Sequence, residues 1–365
     1  MSHIEHPIRK PPESLRAEAG PASPTQRMQE RRLRVGEHVL NCAVGPENGP
    51  PLVLLHGVTR CWRDFVPLFP DLIERWQVFA PDHRGHGKSD RSAPHYRVAD
   101  FATDAVALIE QHLPGPVVLL GHSLGALVAA LVAAELPGRV RALILEDPPG
   151  STLAGGIRQS RFHLQFANTE RLLATARDAE SLTRELAEME VQRPSDRAVV
   201  RFRELRDLAA IRFGAECLLQ LDPAVLTTLG QGRWFEGLDW FGSLAKIECP
   251  TLLLRADLAC GGMLSDVEAA RITSLIPRCS RLDLPGIGHA IHSTQPDKML
   301  SLLTDWLEST GIESSSSSSS SSNYQPGSRT RTRTRTRRKQ RSGSGHKLPR
   351  NSLESNPRPS TSPHP

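Results

Sequence analysis

The chain has 365 residues and a formal net charge of +5, enough for one large domain or two ordinary ones. It has no run of about 18 apolar residues and no apolar stretch near Met1-Ser2-His3-Ile4-Glu5-His6-Pro7, so neither a membrane span nor a signal peptide is expected, and the expected location is cytoplasmic. The six cysteines, Cys42, Cys61, Cys217, Cys249, Cys260 and Cys279, show no C-x-x-C or metal-finger spacing, which argues against a disulfide scaffold or zinc finger and fits reduced thiols.

Residues 1–31 are polar and proline-rich and read as a mobile extension. Residues 32–148 alternate strand and helix patterns. Leu33–Val35 and His38–Val44 form an opening hairpin around Gly36. Pro51–Leu55 is a buried strand that ends at His56-Gly57, followed by a helix over Trp62–Ile73 and a strand over Trp76–Pro81. Then come a helix over Ala99–Gln111, a strand over Val117–Leu120, an apolar helix from Ala126 and a strand over Val140–Leu145. Such alternation predicts a mostly parallel central sheet with helices on both faces, an α/β fold.

Residues 149–246 break the pattern: Thr169–Ala179, Ser181–Val191, Ser195–Phe213 and Ala215–Leu221 read as helices, and the stretch ends in Trp234-Phe235 and Trp240-Phe241. This is expected to be a helical lid inserted into the sheet domain, with those aromatics lining an apolar pocket or packing lid to core. The strand and helix pattern resumes over residues 247–313, with strands at Cys249–Arg255 and Ser280–Leu284 and helices at Asp266–Ile276 and Asp297–Glu308. Residues 314–365 open with nine serines and carry eleven Lys/Arg against one Asp/Glu, so the tail holds +10 and the rest of the chain −5. The tail is expected to be disordered, and with only Tyr324 as an aromatic it lacks the stacking groups of a single-strand binder, so no nucleic-acid partner is expected.

Four short motifs carry the chemistry. Gly121-His122-Ser123-Leu124-Gly125 stands between an apolar strand and an apolar helix, where a tight turn would present the Ser123 hydroxyl. A serine hydroxyl needs a base within hydrogen-bond reach. Pro285-Gly286-Ile287-Gly288-His289 lies between the last strand and the last helix, and its glycines allow close approach; His292 is the competing base. His56-Gly57-Val58-Thr59 follows the third strand, where His56 reads as a loop-holding residue. Asp82-His83-Arg84-Gly85-His86-Gly87-Lys88-Ser89 reads as a turn whose Asp and Arg lock neighbouring loops. Its Gly87-Lys88-Ser89 matches the end of a phosphate loop, but Asp82 stands where such a loop needs glycine and no helix pattern follows.

In this order and spacing the motifs resemble the α/β-hydrolase superfamily, in particular its lid-bearing esterases, lactonases, epoxide hydrolases and dehalogenases, over about Leu33 to Thr310. The resemblance implies the α/β-hydrolase fold with an inserted helical lid, Ser123 as nucleophile and His289 as base, with the backbone N–H groups of Val58 and Leu124 as oxyanion hole. It leaves the acid open. Ala259 occupies the commonest acid position, with Asp257 two residues earlier; Asp147 matches the position some relatives use after the strand that follows the nucleophile, with Glu146 beside it. A serine rather than an aspartate nucleophile points to acyl transfer. The expected function is hydrolysis of a small carboxylic ester, thioester or lactone through an acyl-enzyme. C–C bond hydrolysis with the same triad and a small-molecule receptor with little turnover are the alternatives. The resemblance implies no cofactor or metal, and a small-molecule substrate is the one partner expected.

Overall fold

A computed structural model describes residues 23–150, 160 and 162–312. Its centre is an eight-stranded sheet. In chain order the strands are β1 (Gln29–Val35), β2 (His38–Val44), β3 (Pro51–Leu55), β4 (Gln77–Pro81), β5 (Val117–His122), β6 (Val140–Glu146), β9 (Thr251–Ala256) and β10 (Cys279–Leu284), with a separate two-stranded hairpin of β7 (Glu190–Gln192) and β8 (Val199–Arg201) between them. The spatial order is β1-β2-β4-β3-β5-β6-β9-β10. β1 to β2 and β2 to β4 are antiparallel, and every later pair is parallel.

Parallel strands need crossover helices, and these cover both faces. Strand alternation divides the apolar residues between two cores. Val53 and Leu55, Leu119, Leu143 and Leu145, and Leu253 pack on one side with α2 (Val98–His112) and α3 (Leu124–Glu135). Leu52 and Leu54, Val118 and Leu120, Ala142 and Ile144, and Leu252 and Leu254 pack on the other, with α1 (Phe69–Arg75) and α11 (Pro296–Ser309). Because both faces are covered, β3 and β5 are buried at every residue.

Between β6 and β9 the chain forms α4 (His163–Thr175), α5 (Ala179–Glu188), α6 (Leu208–Leu219), α7 (Pro223–Gly230) and α8 (Trp240–Leu244). The helix read over Ser195–Phe213 is a correction: the β7–β8 hairpin occupies its first part. Pro194 cannot continue a ladder or a helix interior, the Asp196 side chain accepts from Ala198 N at 3.0 Å to make a turn, and α6 starts only where Asp207 caps Ala210 N at 2.8 Å. The segment read as a separate helix over Ala215–Leu221 is the second half of α6. The extension expected over residues 1–31 also ends sooner than read, because Pro24–Arg27 make a 3-10 turn and β1 begins at Gln29. Residues 1–22, 151–159, 161 and 313–365, with the serine- and arginine-rich tail, lie outside the described residues. Among those described, no helix is long and apolar enough to cross a membrane.

Candidate active site

The carboxyl ends of the strands converge on one edge of the sheet, the general ligand position in open α/β sheets. Ser123 sits at the β5–α3 junction with φ 54° and ψ −116°, a conformation a non-glycine residue rarely holds. The two flanking glycines explain how that turn closes. A Cβ on Gly121 would lie 2.1 Å from the Gly125 carbonyl oxygen, and one on Gly125 would lie 1.9 Å from the Leu55 carbonyl oxygen. Ser123 N donates to Glu146 O at 3.0 Å, which ties the turn to β6.

Val58 follows β3, and Leu124 opens α3, so the Leu124 N–H is one the helix cannot satisfy itself. Among the described residues neither N–H has a hydrogen-bond partner. His56 holds the Val58 loop in place: His83 N donates to its Nε2 at 3.0 Å, which leaves Nδ1 to donate to Gly57 O at 2.8 Å.

His289 comes from the loop after β10. Its Nδ1 lies 2.6 Å from Asp147 Oδ2, whose side chain is fully buried. Asp147 itself has φ 42° and follows directly on β6, its N–H bonded to Leu254 O at 2.8 Å. Its oxygens also accept from Ala256 N at 3.2 Å and Met263 N at 2.7 Å, which fixes the carboxylate against the ring. Asp257 points elsewhere: its carboxylate accepts from Ala259 N and Gly286 N, both at 2.8 Å, and caps the short turn Leu258–Cys260.

Glu146 and His292 form a second pair behind the first. The His292 ring is fully buried, with Nδ1 2.8 Å from Glu146 Oε2 and Nε2 3.2 Å from Asp64 Oδ2. Burial alone would push its pKa down, but the Glu146 charge and the hydrogen bonds from Asp64 and Glu146 outweigh it and raise the pKa to about 10. His292 is therefore a doubly held imidazolium at neutral pH. Burial pushes Asp64 the other way, and the His292 hydrogen bond and Arg60 overcome it, so Asp64 stays well below the usual carboxylate range. His122 bridges the pairs. Its ring centroid is 4.6 Å from that of His289 and 4.7 Å from that of His292, and its Nε2 lies 3.2 Å from His289 O. Burial first, then the neighbouring histidines, hold His122 neutral, so Nε2–H donates and Nδ1 keeps its lone pair.

Asp64, His122 and His292 could also offer three ligand atoms to a cation. The His292 proton, shared directly with Asp64 at 3.2 Å, occupies the same gap.

Ser123, His122, Val58 and His289 line one cavity of about 520 Å³. Of the four aromatics expected there, only Trp234 lines it; Trp240 packs edge-on against Phe235 at 6.1 Å and Arg271 covers Phe241 at 3.4 Å, so these side chains serve packing. The Asp82–Ser89 segment is a lock. Asp82 accepts from Trp62 N, Asn41 Nδ2 and Lys88 N, and Arg84 makes a buried bidentate pair with Asp104 at 2.6 Å. The lock has a missed partner in Asp104, which the helix pattern alone gave no reason to single out.

The family model described as the alpha/beta hydrolase fold matches residues 50–209. The chain belongs to the α/β-hydrolase superfamily. Like its relatives in that superfamily it is a hydrolase. It is 26% identical to a 2-(acetamidomethylene)succinate hydrolase of Mesorhizobium japonicum over 76% of this chain and 95% of that one. It is also 26% identical to an sn-1-specific diacylglycerol lipase of Mus musculus, over 73% of this chain and 84% of that one. Among solved structures, an E-2-(acetamidomethylene)succinate hydrolase superposes with a TM-score of 0.60 at 24% identity, covering 77% of this chain and 99% of that one, a likeness of α/β-hydrolase fold.

Proposed function

We propose that this α/β-hydrolase is a serine hydrolase that cleaves a small carboxylic ester, thioester or lactone through an acyl-enzyme, with Ser123, His289 and Asp147 as triad. The observation that carries this reading is the 2.6 Å contact of His289 Nδ1 with the buried Asp147, at the rim of the cavity that Ser123 lines. With Nδ1 engaged, Nε2 is the ring nitrogen left to take the Ser123 proton. The hydroxyl oxygen attacks the substrate carbonyl and its proton passes to His289. The negative charge that develops on the carbonyl oxygen falls to the N–H groups of Val58 and Leu124, donors fixed in place before the reaction starts. His289 then returns the proton to the leaving group, and the carbonyl forms again as an ester on Ser123. A water molecule, deprotonated by His289, attacks that ester, and the proton passes from His289 to the departing Ser123 oxygen as the acid is released.

Asp147 keeps the Nδ1 proton in place and stabilises the imidazolium that forms twice per cycle. In this reading the segment between β6 and β9 acts as the lid, bringing Phe162, Phe166, Phe202 and Trp234 to the cavity wall.

The test is a panel of p-nitrophenyl esters, acyl thioesters, lactones and, because one similar protein is a 2-(acetamidomethylene)succinate hydrolase, N-acyl compounds. Turnover together with a trapped acyl adduct on Ser123, both lost in Ser123→Ala, supports the reading. Fluorophosphonate labelling of Ser123 without turnover on any of the panel would favour a receptor instead.

A further inference from the structure

The cavity around Ser123 has an unbalanced charge. Four arginines line it, Arg60, Arg193, Arg197 and Arg206, and among the described residues no aspartate or glutamate does. Two of the four are spoken for in part: Arg193 pairs with Asp196 at 2.9 Å, and Arg60 reaches Asp64 only at 3.9 Å, a carboxylate already engaged by His292. Arg197 and Arg206 make no ion pair among the described residues. Arg60 and Arg206 also line the adjoining cavity of about 660 Å³, whose wall carries Asp64 and Asp207 as well.

Two guanidiniums facing one space, neither held in a close ion pair, repel each other. Arg206 is exposed; partial desolvation first and Arg60 second lower its hold on its proton, while Asp207 and Asp64 act the other way. Such a pair is relieved by an anion, and a guanidinium fork matches a carboxylate in two parallel hydrogen bonds. Walls of low polarity around a single sign of charge also focus the field and raise the local concentration of anions.

We propose that the substrate of this site carries a carboxylate, bound by Arg206 and Arg60 beside the scissile acyl group. The inference rests on the acyl-transfer reading of Ser123. A hemiester or N-acyl derivative of a short dicarboxylic acid has the required form: the acyl carbon at Ser123, a few carbons against Phe166 and Phe202, and the free carboxylate at the arginines. The two phenylalanines, like both arginines, line both cavities.

The experiment compares mono-4-nitrophenyl succinate and mono-4-nitrophenyl glutarate with the neutral 4-nitrophenyl butyrate, and measures succinate binding by calorimetry. The expected ratio of kcat/KM, anionic over neutral ester, is about tenfold or more in favour of the anion, the worth of one hydrogen bond between charged groups. That preference should fall with rising ionic strength. Arg206→Gln should lower the ratio about tenfold and weaken succinate binding, while Arg206→Lys, which keeps the charge but not the fork, should recover part of it. Equal or better use of the neutral ester, or a ratio that Arg206→Gln leaves intact, overturns the proposal while leaving the serine hydrolase reading standing. Succinate binding that depends on Arg206 with no ester turnover and no label on Ser123 would instead retain the anion site and overturn the acyl-transfer reading.

Discussion

Glu146 and Asp147 are neighbours at the end of β6, and each meets one histidine of the segment that follows β10, His292 and His289. The pairs are alike in sequence and opposite in setting. His292 is fully buried and both its ring nitrogens face carboxylates, so its proton has no reason to leave at neutral pH. His289 keeps 22% of its side chain exposed, has a carboxylate at Nδ1 only, and lines the cavity. A base must give up and regain a proton in every cycle, which a ring locked on both sides cannot do. Alternation along β6 separates them: successive side chains point to opposite sides, and a backbone turned to φ 42° at Asp147 redirects the second. One histidine becomes a support and the other a working group.

The comparison breaks most sharply at the histidines. His289→Ala is expected to lower kcat by about 10⁶ while leaving the melting temperature close to that of the parent. If His292→Phe gave that loss and His289→Ala did not, the roles would be reversed. Asp147→Asn comes next, with a fall of about 10⁴ in kcat from the wrong imidazole tautomer. Glu146→Gln should act on the other axis. Breaking a buried ion pair costs about 3–5 kcal/mol, so urea unfolding should show a large loss of stability, and kcat of the remaining folded enzyme should change far less than in Asp147→Asn.

The supporting pair also has a pH signature. His292 holds its proton more tightly folded than unfolded, so its contribution to stability is complete below about pH 6.5 and is lost as the pH rises toward 10. Unfolding free energy followed by urea titration across that range should decline, and the decline should be smaller in Glu146→Gln. The smallest effect is expected from Asp257→Asn. That side chain holds a turn through Ala259 N and Gly286 N. An amide oxygen can replace one of those contacts, so kcat should be nearly unchanged.

Much of this arrangement was legible in the chain because it rests on local rules. The flanks of Ser123 are glycines because carbonyl oxygens stand where their Cβ atoms would be, a constraint written into five consecutive residues. The parallel strands were visible as continuous apolar runs, since both faces of β3 and β5 are covered. The hairpin of β7 and β8 was not legible: its apolar pair Val199-Val200 is short, and what makes it a hairpin is the turn at Arg193 to Ala198. Nor did sequence alone show how Asp147, Glu146 and Asp257 would be shared among partners. That depends on contacts 29 to 146 residues apart, which no local pattern encodes. The tie of Arg84 to Asp104 was hidden for the same reason, and so was the gathering of four arginines around Ser123 from three separate stretches of chain.

The most direct test of the central claim, that Asp147 rather than Asp257 completes the site of Ser123 and His289, is the rate of fluorophosphonate capture at Ser123. It should be measured by intact-protein mass spectrometry in the parent, Asp147→Asn and Asp257→Asn. Fast labelling of the parent and of Asp257→Asn, with labelling of Asp147→Asn slowed by several orders of magnitude, is the expected result. Fast labelling of Asp147→Asn together with loss of labelling in Asp257→Asn would contradict it.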